Sequence, residues 1–152
     1  MVALTTLFLR RLPTLLAALG LMTLTACSSS DPCVPESGTL VTTDVTIGNG
    51  DELTSVDDSI YVYYTGALTN GNIFNIWTVD YGEPLGFRLN ELIVGWQDGM
   101  IGMKEGGRRL LTIPPDLGYG CVEQRDRFGR VVIPENATTE FDITLVKVAH
   151  PK

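Results

Sequence analysis

From residue 40 onward, apolar residues recur at every second position in short runs, and glycine-rich turns separate one run from the next. A period of two puts alternate side chains on one face, so such a chain has to build a sheet with one face buried. Phe141-Asp142-Ile143-Thr144-Leu145, continuing to Val148, is the cleanest run. Ser59-Ile60-Tyr61-Val62-Tyr63-Tyr64-Thr65-Gly66 is a second, dense in aromatic and β-branched residues that suit a pleated surface. Leu40 to Ile47, ended by Gly48-Asn49-Gly50-Asp51, reads as a third, and Phe87-Arg88-Leu89 and Arg109 to Ile113 as shorter ones. Thr69-Asn70-Gly71-Asn72 is a hairpin signal leading into Ile73-Phe74-Asn75.

Only one stretch carries a helical period. From Leu92 to Lys104, the residues Leu92 or Ile93, Trp96, Met100 and Met103 form one apolar stripe, and Gly106-Gly107 stops it. Gly95, Gly99 and Gly102 each weaken this helix by roughly 1 kcal/mol. It must therefore be held by packing across a sheet, which predicts an α+β fold: an antiparallel sheet wrapped around one short helix.

The N-terminus reads as an address. Arg10-Arg11 precede an apolar run, Leu12 to Ala26, too short for the roughly 20 residues of a membrane span. A signal peptide over 1–26 fits this pattern. The run ends in Leu24-Thr25-Ala26-Cys27, which resembles the lipobox of bacterial lipoproteins, and that resemblance implies cleavage before Cys27 and acylation of it. The competing reading is an ordinary signal peptide with a chance cysteine. Ser28, a non-acidic residue after the cysteine, implies an outer-membrane anchor facing the periplasm in lipoproteins of Gram-negative bacteria. Residues 27–38 then form a lipidated, proline-containing tether, and residues 39–149 the folded domain.

The chain has three cysteines. If Cys27 carries lipid, Cys33 and Cys121 remain in an oxidising compartment, either as a disulfide or as two free thiols. Metal binding is not expected, since the one histidine, His150, lies in the tail and no ligand spacing is present. A net charge of −7 argues against nucleic acid, whose phosphates need clustered Lys and Arg. Asp57-Asp58 reads as a solvated turn, because adjacent carboxylates point apart. No Ser–His or Cys–His pairing, Gly-x-Ser-x-Gly or phosphate-cradling loop occurs.

What stands out is a set of aromatic and apolar blocks on separate elements. Tyr63-Tyr64-Thr65-Gly66, Asn70-Gly71-Asn72-Ile73-Phe74, Ile93-Val94-Gly95-Trp96, Leu111-Thr112-Ile113-Pro114-Pro115 with Gly118-Tyr119-Gly120, and Ile133-Pro134 to Phe141-Asp142-Ile143 follow one another in order. In this order they resemble the FKBP-type peptidyl-prolyl cis–trans isomerases. The resemblance implies a five- to six-stranded half-barrel with a proline pocket between sheet and helix. It implies Trp96 as the pocket floor, Tyr64, Phe74 and Phe141 as walls, and Tyr119 as a hydroxyl donor to a substrate carbonyl. Leu92 and Ile93 would lie at the rim, with the Ile93 amide also facing the peptide. Proline-containing polypeptides are the implied substrates, macrolides the implied inhibitors, and no cofactor is required.

The chain departs from the family pattern in places. Asn75 follows Phe74 where the family has an acid, so a carboxylate beside the pocket is lost. Leu85 stands where a pocket Phe is customary, and the polar 121–132 loop leaves Val132 and Ile133 as the pocket-edge residues. A non-catalytic, proline-binding or chaperone-like envelope lipoprotein is therefore the competing function. A long N-terminal dimerisation helix, present in some exported relatives, is not seen, so a monomer is expected.

Overall fold

A computed structural model describes residues 33–151. The signal peptide read over 1–26 and the lipidation read at Cys27 lie outside the described residues. No helix among the described residues is long and apolar enough to cross a membrane.

The fold is α+β. Six strands form one antiparallel sheet: β1 (Val41–Thr46), β2 (Ser59–Leu68), β3 (Ile73–Trp77), β4 (Leu85–Arg88), β5 (Arg108–Ile113) and β8 (Thr139–Ala149). Their order is β1-β5-β8-β2-β3, with β4 also pairing β2. β2 lies along β8 for its whole length, Ser59 opposite Ala149 through Leu68 opposite Thr139. Its other edge is shared: β4 takes Ser59 to Val62, and β3 takes Tyr64 to Ala67. β3 and β4 are thus two halves of one edge, interrupted by residues 78–84. That excursion is pinned where Tyr63 Oη donates to Gly82 O at 2.8 Å and Trp77 Nε1 donates to Glu83 O at 3.0 Å.

The period-two expectation holds along β8 and the first half of β2, whereas β1 is exposed at every position. Along β8, Thr139, Phe141, Ile143 and Leu145 are buried while Glu140 and Val146 are exposed. Ile60, Val62, Leu89, Met100, Leu111 and Ile113 join Phe141, Ile143 and Leu145 in one core. Burial of this kind supplies most of the folding drive, about 25 cal/mol per Å² of apolar surface removed from water.

The helix is shorter than its periodicity suggests. α1 spans Val94–Met100; Leu92 and Ile93 precede it, behind a single 3-10 turn at Leu89–Glu91, and Ile101 ends it. Gly102, at φ +81°, turns the chain in the left-handed region, where a helix cannot continue. The other two glycines have a positive role. A β-carbon on Gly95 would stand 2.4 Å from Ile113 Cγ2, and one on Gly99 would stand 2.9 Å from Leu111 Cδ2. One helical turn apart, they let α1 lie directly on β5, so their low propensity is offset by close packing. Arg109 secures the far end, donating from Nη1 to Gly99 O at 2.8 Å and to Ile101 O at 3.2 Å, while forking onto both Asp44 oxygens on β1.

Three further sequence expectations need revision. Leu89 is not a strand residue but is buried in the 3-10 turn. Asp58 is not solvated: it is 1% exposed and accepts from the Thr54 and Ser55 amides and from His150 Nδ1. Two backbone amides and a ring nitrogen converging on one carboxylate replace the water that the pairwise argument assumed. Finally, the 121–132 loop forms its own two-stranded hairpin, β6 (Gln124–Arg125) with β7 (Val131–Ile133).

Candidate active site

Between α1 and the concave face of the sheet lies a cavity of about 220 Å³. Each lining side chain comes from a different part of the chain: Tyr64 from β2, Phe74 and Asn75 from β3, Phe87 from β4, Trp96 from α1 and Phe141 from β8. Glu91, Leu92 and Ile93 form one lip and Tyr119, from the loop after β5, the other.

The rings meet edge to face, as aromatic quadrupoles prefer. Trp96 is the hub, with its centroid 5.4 Å from Tyr64, 5.3 Å from Phe141 and 6.5 Å from Phe87, all at interplanar angles of 79° or more. Phe74 stands 5.6 Å from Phe141 and 6.4 Å from Tyr119. Gly66 makes this wall possible, since a β-carbon there would stand 2.6 Å from Phe74 Cε2.

The lip before α1 is tied down by polar side chains. Gln97 Nε2 donates to Leu92 O at 2.7 Å, and Asn90 Nδ2 donates to Asp57 Oδ1 at 3.1 Å. The Leu89 amide donates to Asp58 O at 3.1 Å. The Ile93 carbonyl accepts from the Trp96 and Gln97 amides, while the Ile93 amide has no acceptor among the described residues.

The opposite lip is equally constrained. After β5 a 3-10 turn, Pro115–Leu117, sets up Tyr119, and Gly120 at φ +58° donates to Pro115 O at 2.9 Å. Gly120 O accepts from the Asn136 amide at 2.7 Å. A Cys33–Cys121 disulfide fastens the segment before β1 to the same loop, and Gly38 N donates to Asp116 Oδ1 at 3.3 Å.

The site is dry enough to be felt by its phenols. Burial pushes the Tyr64 hydroxyl above its usual pKa, and burial together with Tyr64 nearby does the same to Tyr119. Both stay protonated at neutral pH, so both are available as donors. Neither hydroxyl has a hydrogen-bond partner among the described residues, and the Asn75 amide makes no bond to Tyr64.

Of the residues expected from the sequence, Tyr64, Phe74, Asn75, Leu92, Ile93, Trp96, Tyr119 and Phe141 line the cavity. Leu85, Val132 and Ile133 do not. Leu85 and Phe87 share one face of β4, and it is Phe87 that reaches Tyr64 and Trp96, with centroids 6.4 Å and 6.5 Å away. Val132 and Ile133 belong to β7, which pairs with β6 instead of draping over the cavity, and Ile133 is only 2% exposed. Phe87, Glu91, Gly66 and Gln97 were missed. The two-residue spacing of Leu85 and Phe87 is the signal that could have found the first.

The comparisons with known proteins point to one family. Residues 50–146 match the family model for FKBP-type peptidyl-prolyl cis–trans isomerase. An FK506-binding protein from Neisseria meningitidis serogroup A is 42% identical over 113 residues, covering 73% of this chain and 97% of its own. A probable FKBP-type peptidyl-prolyl cis–trans isomerase from Haemophilus influenzae is 38% identical over 69% of this chain, which spans 40% of that relative's length. The crystal structure of FkpA from Escherichia coli superposes with a TM-score of 0.62 at 36% identity, covering 80% of this chain and 53% of that one. The chain belongs to the FKBP-type peptidyl-prolyl cis–trans isomerase family.

Proposed function

We propose that this chain accelerates cis–trans isomerisation of X–Pro bonds in polypeptides of the bacterial cell envelope. The observation that carries this reading is the convergence of six aromatic rings, Tyr64, Phe74, Phe87, Trp96, Tyr119 and Phe141, on one cavity between helix and sheet.

The chemistry asks for little else. Amide resonance gives the C–N bond partial double-bond character and a rotation barrier of about 18–20 kcal/mol. Resonance places negative charge on the amide oxygen, a form that water stabilises. An aromatic cavity that removes water weakens that stabilisation and lowers the cost of twisting. In this reading the prolyl ring sits on Trp96 between Tyr64, Phe74 and Phe141. The Tyr119 hydroxyl and the Ile93 amide donate to peptide carbonyls and hold the twisted geometry more tightly than the planar one. No nucleophile, base or metal takes part, which suits a lining whose only charged side chain is Glu91.

Envelope location rests on the N-terminal sequence: an apolar run ending in Leu24-Thr25-Ala26-Cys27. With acyl chains on Cys27 the domain would be held at the outer membrane, facing the periplasm, as a monomer. One chain binds only marginally, so several would be needed.

A second reading is favoured by Asn75, an amide where a carboxylate would sit, with no hydrogen bond to Tyr64: a proline binder with little turnover. A protease-coupled isomerisation assay with a Leu-Pro peptide separates the two. Catalysed rates that saturate with peptide support the isomerase. Binding without acceleration over background assigns the binder.

A further inference from the structure

Among the ten residues lining the cavity, Glu91 is the one that carries a charge. It follows Asn90 in the 3-10 turn whose end becomes the Leu92–Ile93 lip, and its carboxylate is exposed and takes part in no ion pair among the described residues. The turn is not loose, because Leu92 N donates to Leu89 O at 3.1 Å and Gln97 holds Leu92 O. The backbone of Glu91 is therefore held at the mouth, and its exposed side chain extends from that point.

A second cavity, of about 350 Å³, shares Phe87 and Glu91 with the first. Arg88 and Tyr61 also line it, and Lys147 stands 5.8 Å over the Tyr61 ring. These cations do not line the first cavity. Within the first cavity Glu91 is thus the formal charge available to a peptide seated with its proline on Trp96, while Arg88 shares only the second cavity with it.

We propose that Glu91 makes the site prefer substrates with a lysine or arginine side chain next to the proline. This rests on the isomerase reading and names the substrate class of that same site. Opposite unit charges about 6 Å apart in water attract strongly enough for roughly a threefold preference, and a like charge is disfavoured by a similar factor. Between a cationic and an anionic flank the difference is then about tenfold at low ionic strength, and salt at 0.15 M and above erodes it, because an exposed pair is screened within about 8 Å. The aromatic walls cannot supply this discrimination. The overall charge of −7 attracts any cationic peptide, so the contribution of Glu91 has to be separated from it.

The test uses the full chain and two peptide series, X-Leu/Lys/Glu before the proline and the same three residues after it, with kcat/KM read by exchange NMR at low and high salt. The proposal expects Lys over Glu by about tenfold in at least one series, shrinking with salt. Glu91→Gln should collapse the ratio and Glu91→Lys invert it. Glu52→Gln, which removes the same charge from outside the cavity, should preserve it. Ratios near one in both series, or a ratio that Glu91→Gln leaves unchanged, overturn the proposal while leaving the isomerase reading intact. If no peptide is turned over, the isomerase reading fails instead, and the same ratios read as competition binding still decide the charge preference.

Discussion

Gly66 on β2 lies against the ring of Phe74 so closely that a β-carbon would stand 2.6 Å from Phe74 Cε2 and 2.9 Å from Phe141 Cε1. Two cavity walls therefore depend on the absence of one methyl group. Gly66→Ala should displace both rings, costing about 1–3 kcal/mol of stability as overpacking does. Because the displaced rings line the cavity, kcat/KM should fall by about tenfold or more, a loss of some 1.4 kcal/mol in transition-state stabilisation. Urea unfolding and a prolyl isomerisation assay on the same preparation check both effects.

Arg109 joins three elements, forking onto Asp44 of β1 and donating to the last carbonyls of α1 from β5. Its side chain is only 13% exposed, whereas the Asp44 carboxylate is 44% exposed, so the bond to Gly99 O is the most shielded of the set. Arg109→Ala should cost about 1–3 kcal/mol, mainly by leaving the part-buried Gly99 carbonyl unpaired. Arg109→Lys should recover only part of this, since an ammonium cannot reproduce the fork. Chemical denaturation of the three proteins gives the comparison.

The Asp58–His150 contact makes an acid-side prediction. Burial by itself would raise the Asp58 carboxyl, but the hydrogen bonds from His150, Ser55 and Thr54 outweigh it and hold the group below its usual 3.8. The folded state thus binds a proton on Asp58 less readily than the unfolded chain. The stabilisation is present above pH 3.8 and is lost as pH falls through the lower, folded value. Asp58→Asn should remove this share of the acid limb. A series of melting temperatures from neutral pH downward should show a shallower fall for the variant.

Cys33 and Cys121 are 88 residues apart in sequence. Closing a loop of that length removes enough unfolded-state entropy to contribute about 4–5 kcal/mol in the chain-entropy model. Cys33→Ser/Cys121→Ser should lose stability on that scale, read by urea midpoints. Hydrogen exchange should rise first in the 113–121 loop, which carries Tyr119 and is fastened by this bond.

The sheet was legible because period two is local: Phe141, Ile143 and Leu145 announce their own burial without knowing their partners. The aromatic members of the site were legible through ordered blocks such as Tyr63-Tyr64-Thr65-Gly66. What escaped depends on contacts across the fold. Gly95 and Gly99 look like defects in a helix until Ile113 and Leu111 are seen against them. Asp58 looks solvated until the tail brings His150 to 2.8 Å from it, from 92 residues away. Leu85 and Phe87 are equivalent by alternation, and only the position of Trp96 decides which one faces the cavity. Val132 and Ile133 were misplaced because the 121–132 loop satisfies its own backbone as a hairpin, which polar composition alone does not reveal.

The most direct test of the central claim is exchange NMR on a Leu-Pro peptide with catalytic amounts of the full chain, beside Trp96→Leu with its fold verified by circular dichroism. The account predicts cis–trans exchange well above the uncatalysed rate for the wild type, and a loss of at least about tenfold when the indole floor is removed. Exchange at the uncatalysed rate in the wild type, with the peptide demonstrably bound, would contradict it.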